Sequence, residues 1–166
     1  KEHLPVVMVK VEWFDPAEWT DLETFQSYVA FFFERAAQYL PKGADKGVLF
    51  FDMKGWSLMK HASRWSMKLT AALINIIQAH NPERLQKAIL FNAPALFSGT
   101  WRIISGWLDP VVAHKVLFVN DVSKVLEIVD ADQLPKEYGG NRELPYPIEG
   151  LSELADAGLY VHKKAR

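Results

Sequence analysis

Asp52, Lys54, Asn92 and Asp121 each stand at or just beyond the end of a short apolar run. Two carboxylates with an amine and an amide, gathered at one edge of a sheet, have the makings of an acid–base site. Plainer roles compete: Asp52 and Lys54 as a local ion pair, and Asn92, before Ala93-Pro94, as a turn residue. A second set is Glu83, just before the third apolar run, and Lys115, which opens the fourth. Side by side they form either a salt bridge or a polar clamp for a charged ligand group. Other signatures of chemistry fail. The glycines nowhere fall into a dinucleotide or Walker spacing. Gly55-Trp56-Ser57-Leu58-Met59 begins like a nucleophile elbow but lacks the closing glycine, which leaves Ser57 as a turn or cap residue. His3, His61, His80, His114 and His162 show no i, i+4 pair and are expected on the surface or in loops. With no cysteine, thiol catalysis, disulfides, zinc ribbons and iron–sulfur clusters are excluded. No cofactor and no metal is expected, and the chain reads as a binding protein rather than an enzyme.

The elements that must position these residues are four near-continuous apolar runs, Val6 to Trp13, Val48 to Met53, Ala88 to Asn92 and Val116 to Val119, with the character of strands buried on both faces. Helical patterns lie between them. The first opens on a capping box, Thr20-Asp21-Leu22-Glu23, and puts Leu22, Phe25, Val29, Phe32, Phe33, Ala36 and Leu40 on one stripe before Pro41 and Gly43. The second carries Trp65, Leu69, Leu73 and Ile77 and stops at Asn81-Pro82, where the proline disfavours helical geometry in the residue before it. Strands alternating with crossover helices predict an α/β class with a mostly parallel sheet. The 166 residues suffice for one domain with its own core, and Pro145, Pro147 and Gly150 mark an irregular tail with a solvated basic end, His162 to Arg166. The first residues, Lys1 to Pro5, carry neither an initiator methionine nor a signal peptide, so the chain is read as a domain excised from a longer one. A net charge of −1 argues against a nucleic-acid partner. The longest uncharged stretches, Leu69 to Pro82 and Ala88 to Trp101, fall short of the ~20 residues that span a bilayer, which predicts a soluble protein.

Ala95 to Leu108 is the most informative segment. Leu96, Phe97, Trp101, Ile103, Ile104, Trp107 and Leu108 are spread around the helical wheel, with Arg102 the only charge. Such a helix is either deeply buried or faces something apolar that is not protein: a lipid in a cavity or a membrane surface.

The ordered set Pro5-Val6-Val7, Phe14-Asp15-Pro16, Phe51-Asp52-Met53-Lys54-Gly55, Asn81-Pro82-Glu83-Arg84-Leu85, Asn92-Ala93-Pro94, Trp107-Leu108-Asp109-Pro110 and Gln133-Leu134-Pro135-Lys136-Glu137-Tyr138-Gly139-Gly140 resembles the CRAL-TRIO lipid-binding domain. The resemblance spans nearly the whole chain but lacks the amino-terminal helical segment of full-length members. It implies a sheet that floors an apolar lipid pocket, with Ala95 to Leu108 as the gate helix closing over one lipid. Sequestering acyl chains at about 0.8 kcal/mol per buried methylene offsets their extraction from a bilayer, so no bond need be made or broken.

Members that bind phosphatidylinositol place a Glu and a Lys where this chain has Glu83 and Lys115, which the resemblance makes the headgroup-binding pair. A threonine that such members have three residues before that lysine is Val112 here. The positions of the phosphatidylcholine contacts are Gly47 and Leu49, whose side chains cannot hydrogen-bond. Carried over in the same way, Leu90, Phe97, Trp101, Ile104, Val116 and Phe118 form the acyl pocket and gate. The implied function is binding and intermembrane transfer or presentation of a phospholipid, phosphatidylinositol favoured, by a cytoplasmic protein in transient contact with membrane surfaces. A lipid-sensing, membrane-targeting or protein-interaction module of a larger protein remains the alternative, with an α/β enzyme using Asp52, Asn92 and Asp121 behind it.

Overall fold

All four apolar runs become strands of one sheet. In the computed structural model, residue 4 and residues 6–38, 45–80 and 83–143 are described, apart from the side chain of residue 80. The first helix's expected end at Leu40, Pro41 and Gly43, the Asn81-Pro82 stop, His3, Pro5, His162, the side chain of His80 and the tail from Pro145 onward lie outside them. The strands are β1 (Val6–Lys10), β2 (Gly47–Asp52), β3 (Leu85–Phe91) and β4 (Val116–Val119). They pair in parallel in the order β1-β2-β3-β4, which bears out the expected class.

Two strand boundaries depart from expectation. β1 stops at Lys10, and Val11–Trp13 turns into a 3-10 helix, exposing Trp13 at the sheet edge. β3 begins three residues before the expected Ala88. Its register shifts there: Gly47 faces Leu85 but Val48 faces Lys87, which leaves Gln86 without a cross-strand partner. A bulge of this kind reverses the side-chain alternation. It lets Leu85 join Leu49 and Ala88 on one face while Ile89 and Phe91 point to the other.

Helix α1 (Leu22–Gln38) follows β1, the short α2 (Leu58–His61) and long α3 (Arg64–His80) follow β2, α4 (Phe97–Ser105) and α5 (Pro110–Ala113) follow β3, and α6 (Val122–Ile128) follows β4. The cap of α1 sits one residue later than expected. Asp21 accepts the Thr24 amide at 2.7 Å and the Thr24 hydroxyl at 2.9 Å. A carboxylate serves the exposed amides of a helix start better than the Thr20 hydroxyl does. Ser57 is a cap residue as expected, accepting the Lys60 amide at the start of α2.

Sequential strand order with right-handed crossovers forces α1, α3 and α4 onto one face. There α1 and α3 meet through Phe25, Val29, Leu69 and Ala72. The opposite face, Val48, Phe50, Ile89, Phe91 and Val119, is closed by α6 and the 3-10 turns Ala131–Gln133 and Lys136–Tyr138, through Val125, Val129, Leu134 and Tyr138.

Candidate functional site

Leu90 on β3 and Phe97 and Ile104 on α4 are buried in one cluster with Met53 and Ile74, and Trp101 and Val116 pack against it. Phe118 lies over this cluster from β4: its ring is 5.1 Å from Trp101, edge-on, and 6.2 Å from Phe97, and it keeps 48% of its surface exposed. All six residues expected to form an acyl pocket are therefore neighbours, and α4 packs on the carboxyl half of the sheet.

The helix is shorter than the expected Ala95 to Leu108. It is nine residues long, buries Phe97, Thr100 and Ile104, and turns Ile103 outward, while Leu96 just before it is 73% exposed. The apolar side chains beyond Ser105 belong to the following turn, where Gly106 and Trp107 close back on Ile103 and Ile104. That turn is pinned by Gln78 of α3, whose side-chain amide donates to the Trp107 carbonyl at 3.3 Å and accepts the Asp109 amide at 2.5 Å. Asp109 in turn caps α5 at the Val111 amide, 2.7 Å away.

Glu83 and Lys115 stand at the amino ends of the adjacent strands β3 and β4, as expected. The Lys115 carbonyl accepts the Ala88 amide at 2.9 Å, which sets Lys115 beside Lys87, four residues past Glu83. At about 3.3 Å per strand residue the two backbones are offset by at most about 13 Å. Glu83 is exposed and Lys115 half-buried. Val112, where a threonine was sought, is buried beside Leu49, and Leu49 itself is core. On the same amino edge lies a cavity of about 90 Å³, lined by Val7, Phe33, Ala36, Leu49 and Ile77 and rimmed by Lys46 and Arg84. Pockets that enclose a drug-sized molecule run to about 300–1,000 Å³, so a phospholipid needs more room than this.

Asp52 ends β2, and Asn92 and Asp121 follow the carboxyl ends of β3 and β4, but structural duties engage them. Asp52 does not pair with the Lys54 ammonium. Its Oδ1 accepts the Lys54 backbone amide at 3.0 Å and its Oδ2 accepts the Tyr138 hydroxyl at 2.8 Å. Asn92 stands in a turn as expected, and its backbone there is left-handed (φ +57°). Asp121 caps α6 at the Ser123 amide, and that hydrogen bond holds its carboxyl below the ordinary carboxylate range.

His61 corrects the expectation of a surface histidine. It is 6% exposed, with Nδ1 accepting the Ser57 amide at 3.0 Å and Nε2 3.3 Å from the Phe14 carbonyl, so the network assigns the proton to Nε2. Burial pushes its pKa down, against the opposing pull of the Phe14 carbonyl. Trp56 stacks on it and meets Phe97 edge-on at 5.2 Å, which links α2 to α4.

Sequence reasoning missed the polar latch at the carboxyl edge. Besides Asp52 and Tyr138, Lys10 bonds Glu137 at 2.7 Å and lies over the rings of Trp13 and Tyr138. The Gly139-Gly140 pair makes the latch possible. Gly139 has φ +77°, and a Cβ on Gly140 would come within 1.8 Å of the Leu134 carbonyl oxygen.

A profile of the CRAL/TRIO domain matches residues 1–140. The chain belongs to the CRAL/TRIO domain family. Among its relatives, phosphatidylinositol transfer protein CSR1 of Eremothecium gossypii is 34% identical over 151 residues, 91% of this chain and 33% of that protein. SEC14 cytosolic factor of Candida glabrata is 34% identical over 132 residues, 78% of this chain and 42% of that one. The chain thus spans well under half the length of these CRAL/TRIO relatives. The crystal structure of Sfh5 matches the fold with a TM-score of 0.64 at 21% identity, covering 92% of this chain and 58% of that one. The latch gives a structural role to one of the CRAL/TRIO-like motifs, Gln133 to Gly140: Leu134 and Tyr138 close the sheet face opposite α4. Among the described residues, no helix is long and apolar enough to cross a membrane.

Proposed function

We propose that this CRAL/TRIO domain binds one phospholipid, phosphatidylinositol favoured, and transfers or presents it between membranes without making or breaking a bond. The observation that carries this is the family membership together with the 34% identity to a protein named for phosphatidylinositol transfer. The geometry supports it. Acyl chains enter between α4 and the sheet when α4 lifts, exchanging ring contacts among Phe97, Trp101 and Phe118 for contacts with methylenes, while Leu90, Ile104 and Val116 line the space. Glu83 and Lys115, offset along neighbouring strands, hold the headgroup between them. The protein works in the cytoplasm and touches membranes transiently.

The test is to incubate the protein with mixed-lipid vesicles, re-isolate it by gel filtration and identify extracted lipid by mass spectrometry. Near-stoichiometric phosphatidylinositol is expected. Glu83→Ala and Lys115→Ala should each lower phosphatidylinositol loading about tenfold or more, the worth of a hydrogen bond to a charged group, and spare uncharged lipids. Unchanged phosphatidylinositol loading in both variants refutes the headgroup pair, and extraction of no lipid refutes the function.

A further inference from the structure

The charge of the chain is unevenly laid out. Between Asp52 and Glu83 there is no Asp or Glu, but there are Lys54, Lys60, Arg64 and Lys68. A net charge of −1 over the whole chain therefore leaves −5 on the remainder (−1 − 4 = −5). This segment also carries the most outward-facing apolar side chain of the described residues, Met59 at 93% exposed, with Leu58 beside it at 53%. Both sit on α2, a single helical turn that projects from the carboxyl edge of the sheet. His61 at the end of that turn is anchored to Ser57 and to the Phe14 carbonyl, so the tip is held in place rather than trailing. Asp15 offsets Lys60 at 3.6 Å, and Glu12 stands against Gly55. Lys54, Arg64 and Lys68 are exposed and have no ion-pair partner among the described residues.

We infer that the α2 tip, Leu58 and Met59, acting with the exposed Lys54, Arg64 and Lys68 of the same segment, is the element with which this protein docks on an anionic lipid bilayer. Two exposed apolar side chains on one short turn suit shallow insertion at the headgroup boundary, and a segment whose only charges are cations suits a negatively charged leaflet. Trp56 joins this tip to Phe97 at the start of α4, next to the exposed Leu96, so α2 and the start of α4 are physically linked. The inference rests on the proposed lipid exchange and adds to it the contact that delivers the protein to its lipid source.

Flotation with vesicles of phosphatidylcholine alone, and of phosphatidylcholine with about one-fifth phosphatidylserine, tests it. Binding is expected to the anionic vesicles, to fall with added salt, to fall about fivefold for each of Lys54→Gln, Arg64→Gln and Lys68→Gln, and to fall tenfold or more in the Leu58→Ser/Met59→Ser double variant. The substituted side chains are exposed, so each variant should keep its thermal midpoint. Binding that is indifferent to the Leu58→Ser/Met59→Ser change, equal on neutral and anionic vesicles, or absent while the protein still carries lipid overturns the docking surface. Vesicle binding through this tip by a protein that never extracts lipid supports the surface and sinks the proposed function instead.

Discussion

Tyr138→Phe removes one oxygen atom and leaves its surroundings intact. The ring sits between Phe50 at 5.0 Å and Phe91 at 5.8 Å, contacts that phenylalanine reproduces. What disappears is the hydrogen bond to Asp52 Oδ2, on a carboxylate only 6% exposed whose other oxygen is taken by the Lys54 amide. A hydrogen bond to a charged group contributes about 1.5–3 kcal/mol, and a buried acceptor without its donor cannot recover that from water. The expected loss is about 2 kcal/mol, or about 4–8 °C in thermal midpoint for a chain of this size. Urea unfolding should show the midpoint move with an unchanged slope. A double-mutant cycle with Asp52→Ala should return a coupling of about 1.5–2 kcal/mol, because each single variant breaks the same contact. A Tyr138→Phe loss below about 0.5 kcal/mol, or two losses that simply add, would refute the latch as a stabilising contact.

Protonation of His61 must break its acceptance of the Ser57 amide, and its pKa lies below the ordinary 6.5. Between that folded value and 6.5 the unfolded chain binds the proton and the folded one does not, so stability rises with pH across this window and is level above it. The wild-type protein should show that slope in urea midpoints more steeply than His61→Asn, and parallel profiles would contradict it. Trp101→Asp sets a charge among Phe97, Phe118 and Leu90 and should abolish retention of any acyl lipid. Retention equal to wild type in gel-filtered protein would mean that no acyl chain passes beneath α4.

The six apolar pocket residues came only from the family resemblance, whereas strand and helix order and the parallel class were legible in the sequence because they follow from local periodicity and from crossover rules. β4 shows this best, since its four apolar residues match the structure at both ends. Start and stop positions were less legible where one side chain decides them. Asp21 displaced Thr20 as a cap, and the bulge at Gln86 hid the start of β3 behind two polar residues. The burial of His61 and the bond from Tyr138 to Asp52 were invisible for another reason. Their partners lie 47 and 86 residues away, and nothing in a local pattern records such a pairing.

The two faces of the sheet are covered by different means, and the difference bears on which of them suits the proposed lipid entry. Sequential right-handed crossovers leave the face of Phe50 and Ile89 bare until the chain beyond β4 folds over it. That cover is fixed by fully buried Val125 and Leu134, by Lys10 with Glu137 and by Asp52 with Tyr138, so lifting it would strand buried polar groups. Over β3 and β4 on the other face, α4 is held chiefly by ring edges and aliphatic contacts, with Gln78 pinning only the turn at its far end. Apolar contacts of this kind are nondirectional, and acyl methylenes can replace them one for one at similar cost in exposed area. The proposed lipid entry therefore belongs on the α4 side rather than the other, with the turn that Gln78 pins as the fixed end of α4.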